Sequence, residues 1–352
     1  MKLNLDERLK HYHVAGLSLA VIENGKLVLS RGHGVMERGT NHQVDSRSIF
    51  HACSISKLAT SMLVLTLVER NILDLDRDVN DTLKSWKVPA NEFTQHKKVT
   101  LRTLLSHQSG FIDPESSFSP FDPNQGIPAM LDLMEGRTSY CSEPFTVKYE
   151  PASSFHYSDA GFCLIEQLIE EVTQKSFQRL MNDLIFEPLQ MKDSLLEYRV
   201  PEEIHQRFTS GHHKDGKVVN GKYPIYPYLA AAGLWSTPTD LSSLVIELMN
   251  SLNGKGKLGI SPQLCRDMIS PQGCSQWTGL GVFLDNSNQE LEIYSLGWGV
   301  GFQCMLLAYP YVGAGAVIMT NTDLGVHQTK GIIGEIVNDL SFGQKNTGSL
   351  ST

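Results

Sequence analysis

Apolar and polar positions divide the chain into three blocks. Near the N-terminus two β-rich runs, Gly16-Leu17-Ser18-Leu19-Ala20-Val21-Ile22-Glu23 and Lys26-Leu27-Val28-Leu29-Ser30-Arg31, flank Asn24-Gly25. Asn-Gly tolerates the positive φ values of a two-residue turn, so this stretch predicts a β-hairpin. From residue 58 to about 200 the pattern is mainly helix and loop, with helices predicted over 58–70, 99–107, 126–135, 161–173 and 176–186. Residues 109–126 are rich in Ser, Pro, Asp and Gly and predict a long surface loop. The last block predicts helices over 239–252 and 261–269, strands over 277–284, 290–296, 302–309 and 314–321, and a closing amphipathic helix over about 327–340.

A two-stranded hairpin is marginal on its own. The N-terminal hairpin is therefore expected to join the C-terminal strands in one antiparallel sheet. The predicted fold is α/β in composition (α+β in topology): an antiparallel sheet flanked by helices, with a helical insertion. Residues 1–57 and 200–352 are expected to form the discontinuous α/β domain and 58–199 the mainly helical subdomain. The chain shows no internal repeat or low-complexity segment, and its tail, 344–352, is expected to fray.

Composition narrows the function classes. With 352 residues, 41% hydrophobic and 19% charged, the chain is of globular type. A net charge of −8 argues against nucleic acid or an anionic membrane as main partner. The N-terminus is charged, without the apolar core of a secretory signal, and no later stretch is long and apolar enough to span a bilayer. A cytoplasmic location is the expectation from those features. The six cysteines (53, 141, 163, 265, 274 and 304) have no C-x-x-C spacing and are expected to be reduced and mostly buried. The twelve histidines include His212-His213 but no H-E-x-x-H, so no metal site is expected.

Candidate chemistry centres on Ser54-Ile55-Ser56-Lys57, where the extended run 48–53 gives way to a helix. Ser54 and Lys57, three apart at a helix start, share a face. A serine hydroxyl needs a nearby base, and a lysine becomes one when its surroundings lower its pKa. Alternatively Ser54 is a helix N-cap and Lys57 a solvated lysine. Residues 58–68 are nearly free of charge and apolar around most of the helix, as in a buried helix. A lysine at the head of such a helix is expensive without a partner or a role. Cys53 reads either as a reactive thiol or as a small buried hydrophobe.

Tyr157-Ser158-Asp159 precedes the helix beginning near Gly161 and offers a proton shuttle in Tyr157. The plainer reading has Tyr157 packing and Asp159 capping the helix, a role compatible with a substrate contact. In the run from Tyr294 to Phe302 the glycines permit close backbone approach, and a backbone N–H there, with that of Ser54, would make an oxyanion hole. Otherwise the run is a glycine-rich hairpin turn with a packing tryptophan. His212, His213, Tyr223, Tyr226 and Tyr228 are candidates either for lining a cleft or for ordinary packing.

Beside these residues the chain resembles the serine β-lactamase and penicillin-binding-protein superfamily, on the branch of class C β-lactamases, D-stereospecific peptidases and β-lactamase-like esterases. The resemblance runs from about residue 14 to 340. Val14–Val21 is similar to the opening strand, and Ser54-Ile55-Ser56-Lys57 matches the catalytic S-x-x-K. Residues 99–110 resemble T-[LI]-R-x-L-L-[ST]-H-x-S-G, and Tyr157-Ser158-Asp159 lies where Y-x-N belongs. Residues 185–194 resemble I-F-x-P-L-G-M-x-x-[ST], residues 232–241 resemble A-G-G-L-x-S-T-x-x-D-L, and 301–321 resemble the closing strands.

The resemblance implies that Ser54 attacks a carbonyl to form an acyl-enzyme, that Lys57 and Tyr157 manage the proton, and that the N–H groups of Ser54 and Trp298 hold the oxyanion. It implies no cofactor or metal, and a small ester, amide or peptide as partner. A β-lactamase or D-Ala-D-Ala carboxypeptidase, and a non-catalytic penicillin-binding or sensor protein, are the alternatives. Two positions depart from the pattern. Where the superfamily has K-[ST]-G or H-x-G, this chain has Ser295-Leu296-Gly297, without the cationic or imidazole group that helps anchor a substrate carboxylate. A gapped match instead puts Trp298-Gly299 on the W-G-G of some esterases, with Trp298 in the site. Asp159 replaces Asn; ionised, it only accepts hydrogen bonds and disfavours anionic substrates.

Overall fold

A computed structural model describes residues 2–287, 289–340 and 342. The tail at 344–352 lies outside the described residues. The elements that position the site are helix α1 (Leu5–Tyr12), strands β1 (Gly16–Glu23) and β2 (Lys26–Gly34), helices α2 (Ser56–Glu69), α3 (Asp159–Thr173) and α4 (Pro238–Leu252), strands β3 (Phe283–Asp285), β4 (Glu292–Gly299), β5 (Phe302–Tyr309) and β6 (Ala314–Thr320), and helix α5 (Ile332–Leu340). One antiparallel sheet runs in the order β2-β1-β6-β5-β4-β3, so the first strand of the chain pairs with the last long one, Leu17 opposite Thr320. Asn24 (φ 51°) and Gly25 (φ 68°) form the hairpin turn between β1 and β2.

Side chains alternate across the sheet. One face presents Leu17, Leu19, Met305, Leu307 and Ile318 to Leu5 and Leu9 of α1 and to Ile332, Ile333 and Ile336 of α5. The opposite face carries Ile22, Leu306, Val317 and Met319 into the larger core, where α4 lies on the sheet. Covered on both faces, β1 is buried from Gly16 to Ile22. Each such aliphatic side chain contributes roughly 1.5–3 kcal/mol on full burial.

Helix α2 is the axis of the larger core. Its residues from Ser56 to Leu67 are all buried. The hydroxyls among them find backbone carbonyls, Thr60 donating to Ala230 (2.8 Å), Ser61 to Lys57 (2.9 Å) and Thr66 to Met62 (2.8 Å), so their burial carries no unpaired-donor cost. Among the described residues no helix is long and apolar enough to cross a membrane.

Several expected elements differ in extent. The predicted strand at 277–284 shrinks to β3, because Gly281 at φ 72° turns the chain back and packs it against Ser61 of α2. The predicted helix at 176–186 holds α-geometry only over Phe177–Met181 and widens over Asn182–Phe186. The predicted helix at 327–340 is interrupted by extended Gly331. Residues 109–126 lack regular secondary structure as expected, but they are not only surface: Phe111 and Phe118 are buried.

Glu166 of α3 is buried, and its carboxylate accepts the N–H of Ala230 (2.9 Å) at the start of the short helix Leu229–Ala232. Burial raises its pKa to about 8, partly offset by the backbone N–H groups. Below the ordinary glutamate value both folded and unfolded chains hold the proton. As pH rises from there towards 8 only the unfolded chain releases it, so stability falls across that window and levels above it. Urea unfolding of wild type should lose on the order of 2–4 kcal/mol between pH 5 and 8. Glu166→Gln, which keeps an acceptor for Ala230, should remove most of that slope; an unchanged slope would show that Glu166 does not hold a proton.

Candidate active site

Ser54 lies in a 3₁₀ turn, Cys53–Ile55, between the short strand Phe50–His51 and α2. The turn starts from Cys53 in the left-handed region (φ 50°), uncommon for a residue with a side chain. The N–H of Cys53 reaches His51 Nδ1 (3.0 Å), which fixes the bend just before the serine. Ser54 does not cap α2. Ser56 ties the helix start instead, donating to Cys53 O (2.6 Å) and accepting from Leu234 N (3.0 Å). Cys53 itself is buried, and burial, more than any neighbour, raises its thiol pKa well above normal; it is a packed thiol rather than a reactive one.

Lys57 is 3% exposed, and its Nζ donates to Asp159 Oδ1 (2.6 Å), the Ala231 carbonyl (2.9 Å) and Ser54 Oγ (3.3 Å). The ammonium also stands 4.7 Å from the Tyr157 ring centre and 5.4 Å from that of Phe162. Burial pulls the Lys57 pKa down, but the Asp159 charge, the Tyr157 hydroxyl and hydrogen bonds to both push it up further, leaving it above the ordinary lysine value. Lys57 is therefore held on the ammonium side by its neighbours.

Asp159 is not the helix cap. Ser158 caps α3, accepting from Gly161 N (3.1 Å). Asp113 takes the N–H groups of Asp159 (2.8 Å) and Ala160 (3.0 Å) and the Ser158 hydroxyl (2.9 Å). The Asp159 carboxylate is thus free to face Lys57. Tyr157 stacks on His107 with ring centres 4.3 Å apart. Tyr157 keeps 39% of its surface exposed, but its hydroxyl end is turned inward, and burial there raises the phenol against the pull of Lys57 and hydrogen bonds to Lys57 and Ser54. His107 Nδ1 accepts from Ser158 N (3.1 Å), and burial, then Lys57, hold its pKa well below normal: it is a neutral wall.

Ser54, Lys57, His107, Tyr157, Ser295 and Leu296 line one narrow cleft of about 20 Å³, closed by the turn Thr278–Phe283. Ser295 and Gly297 share the face of β4 towards Ser54, and a Cβ on Gly297 would collide with the Ala52 carbonyl just before the nucleophile. Trp298 points to the other face, 45% exposed, donating Nε1–H to Asp323 (2.9 Å). The third-motif side chain in the cleft is therefore Ser295. Gly299 and Phe302 close a two-residue turn, so their pair is hydrogen-bonded and the next, Trp298 with Gln303, is not. That leaves the Trp298 N–H on the edge of β4 away from β5.

His107, Asp113 and the turn Thr278–Phe283 were missed as site residues. His107 carried a signal, its place in the 99–110 block; the others carried none. His212 packs, bonding Asn321 O (2.7 Å) and Arg38 N (3.0 Å). Tyr228 is buried, and Tyr226 accepts from Val300 N (3.0 Å). Among the described residues no group of three or more His, Cys, Asp or Glu side chains is placed to hold a metal.

Known proteins share this arrangement of elements. The D-amino acid amidase of Ochrobactrum anthropi SV3 superposes with a TM-score of 0.78 at 20% identity, covering 98% of this chain and 97% of that one. A D-alanine carboxypeptidase AmpC from Burkholderia cenocepacia gives 0.69 at 19% identity, over 95% and 94%. By sequence the chain is 22% identical over 324 residues to Protein flp of Staphylococcus aureus (strain MW2), covering 90% of this chain and 61% of that protein. It is 29% identical over 192 residues to Penicillin-binding protein 4 of Amycolatopsis lactamdurans, over 54% and 46%. It thus spans about three-fifths or less of these curated relatives' length. A family model described as Beta-lactamase matches residues 1–332, and with nearly the whole chain inside that match the protein belongs to the β-lactamase family.

Proposed function

We propose that the protein is a serine hydrolase that cleaves small esters or amides through an acyl-enzyme on Ser54, with an amine-bearing or uncharged substrate. The carrying observation is Ser54 Oγ 3.3 Å from Lys57 Nζ, in one cleft with Tyr157. Loss of one proton from the Lys57–Asp159–Tyr157 group frees a lone pair on Nζ. Lys57 then takes the Ser54 proton as Oγ bonds to the carbonyl carbon. The N–H groups of Ser54 and Trp298 receive the oxyanion. The leaving group departs with a proton from the Tyr157–Lys57 pair; water, deprotonated by the same pair, then adds to the acyl carbon, and the C–Oγ bond breaks as that proton returns to Ser54, releasing the acid. Fold similarity to a D-amino acid amidase and the Asp159 carboxylate support a substrate amine over the anionic substrates of β-lactamase or carboxypeptidase chemistry.

Intact-mass measurement after a fluorophosphonate should show one adduct, lost in Ser54→Ala; a protein inert to it and to penicillin is the non-catalytic binder instead. Gly297→Ala should lower kcat for p-nitrophenyl acetate at least about ten-fold, because the collision with Ala52 displaces the nucleophile from β4. A wild-type rate would show that this close approach is dispensable. Asp159→Asn removes the charge that raises Lys57 and leaves burial to lower it. The rising limb of the pH–rate curve should move at least about one unit towards acid, and acylation by penicillin should speed up. If neither changes, Asp159 sets neither the state of Lys57 nor the exclusion of anions.

A further inference from the structure

The cleft at Ser54 encloses only about 20 Å³, but Phe283 and Leu296 also line a second hollow of about 370 Å³, around the edge of β4. An aromatic wall joins the two. Phe155, two residues before Tyr157, lies 4.3 Å from Trp277, Trp277 stacks on Phe283 at 6.0 Å, and Phe283 stands 5.4 Å from Tyr294. Trp277 leaves 45% of its surface exposed. Asp285 and Glu292 stand in the same hollow, and among the described residues no lysine or arginine lines it. Glu292 accepts from the Tyr309 hydroxyl, and Ser287 N donates to Asp285 (2.7 Å). The remaining polar wall is His327, whose Nδ1 meets Thr329 Oγ1 (2.8 Å).

Aromatic faces beside carboxylates attract a weakly hydrated cation through the ring quadrupole and the negative charge together, and repel anions. We infer that this hollow, walled by Trp277, Phe283 and Tyr294 with Asp285 and Glu292, receives an ammonium group on the part of the substrate remote from the bond cleaved at Ser54. The inference rests on the acyl-enzyme reading for its link to turnover. Phe283 and Leu296 border both spaces, which sets the hollow beside the cleft, and the small cleft leaves the rest of a substrate to lie outside it.

Two measurements test it. Calorimetric titration of the full chain with benzyltrimethylammonium needs no turnover. Saturable binding is expected, weakened at least about five-fold in Trp277→Ala and in Glu292→Gln. Binding unaffected by either variant, or no binding, overturns the inference. In the second, kcat/KM is compared for the p-nitrophenyl esters of 4-(trimethylammonio)butanoate and its uncharged isostere 5,5-dimethylhexanoate, each divided by its rate of alkaline hydrolysis. The wild-type ratio should favour the cation about ten-fold and fall towards unity in both variants; a ratio near unity in wild type overturns the inference. Cation binding without a Ser54 adduct would sink the hydrolase reading alone. An adduct without cation preference would sink this one alone.

Discussion

A buried ammonium must have every N–H directed at an acceptor, and Lys57 imposes that demand on three parts of the chain. Its acceptors are Ser54 Oγ at the head of α2, Asp159 at the head of α3 and the Ala231 carbonyl at the end of a short helix. An unpaired charge at that depth would cost several kcal/mol, so these segments cannot separate without a large penalty. Supporting bonds follow the same logic. Asp113 satisfies the N-terminal N–H groups of α3 and so frees the Asp159 carboxylate for Lys57. Glu166, about two turns further along the same face of α3, satisfies the segment that supplies Ala231. The site is held by polar groups that each complete another's coordination.

The distribution of charge around Ser54 follows from two substitutions acting in one direction. Ser295 brings no charge to the cleft wall, and Asp159 sets a carboxylate against the ammonium that also meets the nucleophile. Neither disturbs packing: Ser295 is buried against the cleft, and Asp159 is matched by Lys57. The fold thus accommodates a carboxylate beside the Lys57 ammonium because its core, the sheet and α2, is built from residues remote from that choice.

Much of this architecture was legible in the sequence. Asn24-Gly25 fixed the hairpin because only residues tolerant of positive φ fit such a turn, and β5 has the predicted limits because its apolar run is continuous and ends at turn residues. Ser54, Lys57, Tyr157 and Asp159 were recognisable by type and spacing, and the structure brings them together. The protonation of Lys57 was not legible, since it depends on a carboxylate 102 positions away. Nor was the turn at 278–283: its residues read as strand, and only the nearness of α2 bends them at Gly281. Asp113 gave no signal because its partners are backbone N–H groups, which every sequence possesses.

The sheet joins the two ends of the chain. Ala15 N meets Thr322 Oγ1, 307 positions along, and the Ser54 turn lies against β4. During synthesis, therefore, the nucleophile and its lysine are made early but have nothing to lean on until the last strands arrive. Contacts of such long separation form slowly, because closing the loop costs entropy before any pairing repays it. Until then α2, apolar on all sides, has no completed core to enter and is the segment most in need of shielding from other nascent chains. The closure that builds the site therefore waits on strands made long after the nucleophile itself.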